Sequence, residues 1–183
     1  MVFKETEFKL KDGRVALLRS PHEDDAEKML QFIIKASGET AFLMKYPEEW
    51  TDFNLDQEKA FINDDYYNRN GMMISCIVEG KIAGNCQISF RTGMKDRHRA
   101  SVAIALLREF WNLGIGTKMF EEMFQIARER NGVRQIELDF IEGNSRARHL
   151  YEKMGFRITG VKPDAIQMKD GTFVNEYMML KRL

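Results

Sequence analysis

A mixed α/β fold is what this sequence predicts, and three observations predict it. Short runs of strand-forming residues recur along the chain, two of them adjacent and separated by a tight-turn dipeptide. Ile115 to Arg130 carries apolar residues at helical spacing. Beyond that helix, strand-like and helix-like segments alternate. Strands first paired in a meander and then separated by helices make a mixed sheet flanked by helices. No internal repeat, low-complexity stretch or Pro/Gly/Ser-rich linker interrupts the 183 residues, so 1–183 is expected to be one domain.

The elements follow in order. Arg14 to Arg19 reads as a first strand, entered through a turn at Asp12-Gly13. Ser20 then suits an N-cap, Pro21 the first helical position and Glu23 the capping-box spacing, for a helix to about Lys35. Residues 37–54 show neither period and contain Pro47, which predicts mostly loop. Leu55 to Asn70 is a second helical stretch capped by Asn54. Met72 to Glu79 and Lys81 to Phe90 make a hairpin turning at Glu79-Gly80-Lys81, with Cys76 and Cys86 expected as cross-strand neighbours. After a polar loop, Arg91 to Arg99, come the strand Ala100 to Leu107 and the long helix. Its stripe is Ile115, Met119, Met123, Ile126 and Ala127, widened by Phe120 and Phe124. Gln135 to Ile141 is a strand, Ser145 to Met154 a helix closed by Gly155, and Phe156 to Val161 and Phe173 to Leu180 the last strands.

Composition narrows the function. Lys plus Arg is 28 and Asp plus Glu is 28, and a chain without basic excess is a poor general nucleic-acid binder. The longest apolar run, Val102 to Leu107, is far too short to span a bilayer. The amino terminus has no apolar segment of the signal-peptide kind, and two cysteines make neither a disulfide framework nor a zinc pattern. A cytoplasmic protein with no metal, no membrane and no nucleic-acid partner is expected.

Two segments carry chemistry. In the first, Arg108-Glu109-Phe110-Trp111-Asn112-Leu113-Gly114-Ile115-Gly116-Thr117 links a strand to the long helix. Glycines at such a turn let backbone crowd a ligand, and the open amides of a first helical turn favour phosphate. The same glycines also suit a tight turn and nothing more. A P-loop is excluded, because Thr117 precedes Lys118 and the glycine spacing is wrong; a dinucleotide fingerprint fails at Met119. The second segment runs from Asn144 to Phe156. Asn144, at a strand-to-helix junction, suits either capping the helix or gripping a ligand. Tyr151 lies two turns on, although Ala147, Leu150, Tyr151 and Met154 also have ordinary core spacing.

Together, residues 100–161 resemble the GNAT superfamily of acetyl-CoA-dependent N-acetyltransferases. The family's Arg/Gln-x-x-Gly-x-Gly/Ala loop is matched with one departure, Trp111 in place of Arg or Gln. Its second motif is matched at Asn144, Ala147, Leu150, Tyr151, Lys153, Gly155 and Phe156. The resemblance implies a mostly antiparallel central sheet flanked by helices, with a V-shaped splay at the cofactor site. It implies acetyl-CoA as cosubstrate, its pyrophosphate on the amides of Asn112, Leu113, Gly114, Ile115, Gly116 and Thr117. The pantetheine arm would pair with backbone at Ile104, Ala105 and Leu106, Asn144 would contact that arm, and Tyr151 would protonate the departing thiolate. The acceptor would be a primary amine of a small molecule or peptide.

No base is assigned. The family's strand carboxylate is missing near Ser101, leaving Glu39, Glu48, Glu49 and His98 as residues that suit proton removal. A CoA-binding regulatory module without catalysis is the alternative reading. The apolar carboxy-terminal strand suits either a sheet interior or an exposed edge, and pairing into a homodimer is a further expectation.

Overall fold

A computed structural model describes residues 1–50 and 52–183. The chain is mixed α/β, with eight mostly antiparallel strands and four α-helices. It divides into two compact units, one formed by 1–89 with 103–119 and the other by 90–102 with 120–183.

The first unit begins with a strand that the sequence reading did not include, β1 (Thr6–Lys9), paired antiparallel with β2 (Val15–Arg19). β1 was illegible because Phe8 is its one large apolar residue among Thr6, Glu7 and Lys9. The expected cap at Ser20 is displaced. Ser20 Oγ accepts from the Phe3 N–H (2.9 Å), and His22 instead caps a 3₁₀ turn at Glu23–Asp25 ahead of α1 (Ala26–Glu39). α1 outruns its expected end near Lys35, because Ser37 is buried with its hydroxyl accepting from Trp50 Nε1 (3.1 Å). Residues 40–50 and 52–54 are irregular except for a 3₁₀ turn at Pro47–Trp50, and the part of the expected loop at residue 51 lies outside the described residues. α2 (Leu55–Tyr67) has the expected cap: Asn54 Oδ1 accepts from the Gln57 N–H (3.0 Å) and Gln57 returns the bond (2.8 Å).

β3 (Gly71–Val78) and β4 (Lys81–Phe90) form the expected hairpin. Its turn residues Glu79 and Gly80 both lie at positive φ (49° and 76°), the geometry that matches strand twist. The tight turn sets a register in which, with a bulge after Cys76, Cys76 faces Gly84 and Cys86 faces Ile74. The cysteines are therefore not directly opposed; both are buried and neither is in a disulfide. Gly84 is required here, since a Cβ would lie 2.1 Å from Leu106 Cδ2 and 3.0 Å from the Ala105 carbonyl oxygen.

β5 (Arg99–Leu106) contributes its last residues to the first unit and its first residues to the second. In the second unit it pairs in parallel with β6 (Gln135–Ile141) at Arg99↔Gln135, Ala100↔Ile136 and Ser101↔Glu137. A bidentate Arg99–Glu137 ion pair (2.7 and 2.6 Å) fastens that ladder. α3 (Ile115–Glu129) buries Phe120, Met123, Phe124 and Ala127 there, and α4 (Ser145–Lys153) follows β6. β7 (Arg157–Gln167) is longer than the expected Phe156–Val161, bulged twice, and tolerates Pro163 because it lies at an edge. β8 (Phe173–Arg182) lies between β6 and β7, so the apolar carboxy-terminal strand is sheet interior.

Candidate active site

The first unit carries the expected pyrophosphate loop and the strand leading to it. β5 ends at Leu106, and Leu107 N–H donates to the Ala83 carbonyl of β4 (3.0 Å). A 3₁₀ turn at Arg108–Phe110 buries Phe110, and the chain then passes through Asn112 and Gly114, both at positive φ (64° and 96°), into α3. Those two left-handed residues turn the chain sharply before α3 begins. A Cβ built on Gly114 meets nothing within 4 Å, so the space beside this loop is open. Ile115, Gly116 and Thr117 form the first turn of α3. The Leu113 carbonyl accepts from the Lys11 N–H (3.2 Å), and Lys118 N–H donates to the Gly114 carbonyl (3.0 Å). Open space beside Gly114 at the positive end of a 15-residue helix fits a phosphate-bearing ligand. Upstream, Ile104, Ala105 and Leu106 are half-buried and Ala103 is exposed, so this stretch of β5 is accessible to an added strand.

The second unit carries Asn144 and Tyr151. Asn144 caps α4, its Oδ1 accepting from the Ala147 N–H (3.2 Å). The turn before it is braced by Glu142, whose carboxylate accepts from the Asn175 N–H (3.1 Å) and the Tyr177 hydroxyl (3.2 Å). Tyr151 is 8% exposed, packed among Phe120, Phe140 and Phe156 with ring centroids 5.7, 6.0 and 6.2 Å away. Burial pushes its phenol up to about 12. Among the described residues no group hydrogen-bonds its hydroxyl. The side chain is thus both a core residue and a protonated donor with its hydrogen bond unspent at neutral pH.

Two residues suited to proton removal are engaged elsewhere. Glu39 Oε2 accepts from the Arg108 N–H (2.6 Å), and Glu49 accepts from the Tyr46 N–H (2.6 Å). His98 lends its carbonyl to the amides of Arg134 and Gln135 (2.8 and 3.2 Å). A carboxyl that sequence reading missed is Glu58 on α2, 5% exposed and pushed up to about 6 by burial alone. Its signal was its place on one helix face with Ile62 and Asp65, the three buried residues of α2. Asp65 is provided for, by the Met73 N–H (2.9 Å) and Gln87 Nε2 (3.0 Å); Glu58 has no such donor among the described residues. Among the described residues no cluster of metal-ligating side chains occurs, and no helix is long and apolar enough to cross a membrane.

A family model described as the acetyltransferase (GNAT) family matches residues 37–156. The L-amino acid N-acetyltransferase AaaT of Escherichia coli (strain K12) is 26% identical over 109 residues, spanning 60% of this chain and 66% of that protein. An acetyltransferase of the GNAT family from Streptococcus pneumoniae superposes with a TM-score of 0.84 at 27% identity, over 92% of this chain and 99% of that one. RimL, a ribosomal L7/L12 alpha-N-protein acetyltransferase in complex with coenzyme A, has a TM-score of 0.76 at 15% identity, over 92% and 94% of the chains.

Proposed function

The chain belongs to the GNAT acetyltransferase family, and from that premise we propose that it moves an acetyl group from acetyl-CoA to a primary amine by direct transfer. The observation that carries this reading is the open, left-handed loop from Asn112 to Gly114 at the head of α3. Asn112, Leu113, Gly114, Ile115, Gly116 and Thr117 would hold the pyrophosphate through backbone amides, Ile104 to Leu106 would pair with the pantetheine arm, and Asn144 would lie along it. The similarity to a coenzyme A-bound structure and to an amino-acid N-acetyltransferase supports the cosubstrate and the amine class.

Acetyl-CoA supplies a thioester; as the nitrogen of the neutral amine bonds to its carbonyl carbon, the C–S bond breaks, the electron pair leaves on sulfur, and the proton that nitrogen loses passes to water, from which the thiolate finally takes one up. Tyr151 acts where that charge develops. A phenol at about 12 keeps its proton at neutral pH, which excludes it as the base that deprotonates the amine. A thiol ionises near 8.5, so handing over the proton completely is uphill by roughly 3–4 pH units. Tyr151 therefore stabilises the sulfur chiefly by hydrogen bonding as the bond breaks. The two buried, unbridged cysteines suit a reducing cytoplasm. A homodimer formed by strand addition would use an edge strand, β1 or β7, rather than β8.

The test has two stages. Amine and peptide pools incubated with acetyl-CoA are screened by mass spectrometry for the gain of one acetyl group. Tyr151→Phe is then assayed on the acceptor found; turnover falls on the order of a hundredfold while the acetyl-CoA dissociation constant changes little. Unchanged turnover in a folded Tyr151→Phe protein rejects any role of its hydroxyl at the departing sulfur, and binding of acetyl-CoA without transfer to any pool favours a regulatory module.

A further inference from the structure

Trp111 stands where the family pattern carries Arg or Gln, and the structure gives its indole a defined partner. Nε1–H donates to the Leu106 carbonyl at 3.0 Å, across the 3₁₀ turn that separates β5 from the loop. The edge on which this bond lies follows from strand geometry. Leu107 N–H points to β4, where it meets the Ala83 carbonyl. Backbone groups alternate sides along a strand, so the Leu106 groups point away from β4, as do those of Ile104. That is the edge an added strand would use. The indole sits at its end and occupies the last carbonyl.

The surrounding contacts make this a clamp rather than a passing contact. Phe110 N–H and Trp111 N–H bond the carbonyls of Leu107 and Arg108 (3.0 and 3.1 Å), closing the turn. The Arg108 guanidinium lies over the Trp111 ring, 5.6 Å from its centroid. Arg108 is itself fixed to the end of α1: its N–H donates to Glu39 Oε2 (2.6 Å), and its guanidinium donates to the Glu39 carbonyl.

Resting on the acetyl-CoA reading above, we propose that Trp111 is a positioning residue that sets the distance between the strand edge receiving the pantetheine arm and the amides receiving the pyrophosphate. Trp111 gives its one side-chain donor to the strand's own backbone and acts through it. With one lone pair of the Leu106 carbonyl already taken by the indole, the Ile104 groups and the Leu106 N–H are the pairing groups the arm meets unshared.

The test is affinity, read by calorimetry on wild type and Trp111→Phe, which keeps the ring and removes the donor. Three probes are compared: acetyl-CoA, S-acetylpantetheine, which has the arm without the pyrophosphate, and ADP, which has the pyrophosphate without the arm. Loss of one neutral hydrogen bond predicts an acetyl-CoA affinity lower by about three- to tenfold, with either fragment within twofold of wild type. Unchanged acetyl-CoA affinity in folded Trp111→Phe overturns the proposal, and so does an equal loss for all three probes, the sign of general damage. Should the variant not fold, the wild-type indole N–H resonance of Trp111 decides. It shifts on saturation with acetyl-CoA and is slow to exchange with solvent beforehand, and a resonance that is fast-exchanging and unmoved overturns the proposal. Wild-type protein that binds no acetyl-CoA overturns the underlying cosubstrate reading instead, and the positioning role falls with it.

Discussion

Replacing Glu58 by glutamine removes a carboxyl from a largely buried side chain. The group is 5% exposed, and burial, the sole cause, raises it from the ordinary 4.5 to about 6. No charge on the buried faces around it offsets this. α1 turns Ala26, Met29, Phe32, Ala36 and Ser37 inward, β3 has no charged residue, and of the acids in the Glu23–Asp25 turn Asp25 is paired with Arg19. Between 4.5 and 6 the native protein binds more protons here than the unfolded chain, so stability falls as pH rises through that window. Above it the ionised group leaves a constant deficit, about 2 kcal/mol from 1.36 kcal/mol per pH unit. Glutamine has no such titration. Variant and wild type should therefore differ by a fixed amount below pH 4.5, and the variant should gain by about 2 kcal/mol from there to pH 7. For a chain of this size that is roughly 4–8 °C in Tm. Thermal melts at half-unit steps from pH 4 to 8, on both proteins in one buffer series, measure the difference; the other carboxylates titrate in both and cancel. Tm curves that stay parallel across the window refute the reasoning.

Two further outcomes bear on the site. Asn144→Ala deletes the Oδ1 that accepts from the Ala147 N–H, at a cost of about 1 kcal/mol, whereas Asn144→Asp keeps the cap and much of the stability; equal melts for all three proteins would deny the capping role. Gly114→Val forces a β-branched side chain into φ +96° and fills the open space beside the loop, so acetyl-CoA affinity falls about tenfold or more, and a folded variant titrating like wild type would remove the pyrophosphate from this loop.

Local signals account for much of what the sequence conveyed. Asn54 and Gln57 satisfy each other within four residues, Glu79-Gly80 needs only its own dihedrals, and the stripe on α3 is a matter of period; none depends on distant partners. The loop at Asn112 to Thr117 and the segment Asn144 to Phe156 were legible for the same reason, since a turn into a helix is written in contiguous residues. What depended on partners far along the chain was not legible. Ser20 has the spacing of a cap, but the Phe3 N–H claims its hydroxyl; Glu39 resembles a free acid, but the Arg108 N–H claims its carboxylate. β8 became interior because β7 pairs along its outer side. Sequence by itself determined which backbone can turn, cap or extend, because those energies are local. Only the tertiary structure decided which polar group finds which partner. A buried donor or acceptor must be satisfied by whatever the fold brings near, and at Glu58 the fold brings nothing among the described residues, which is why that carboxyl holds its proton to about 6.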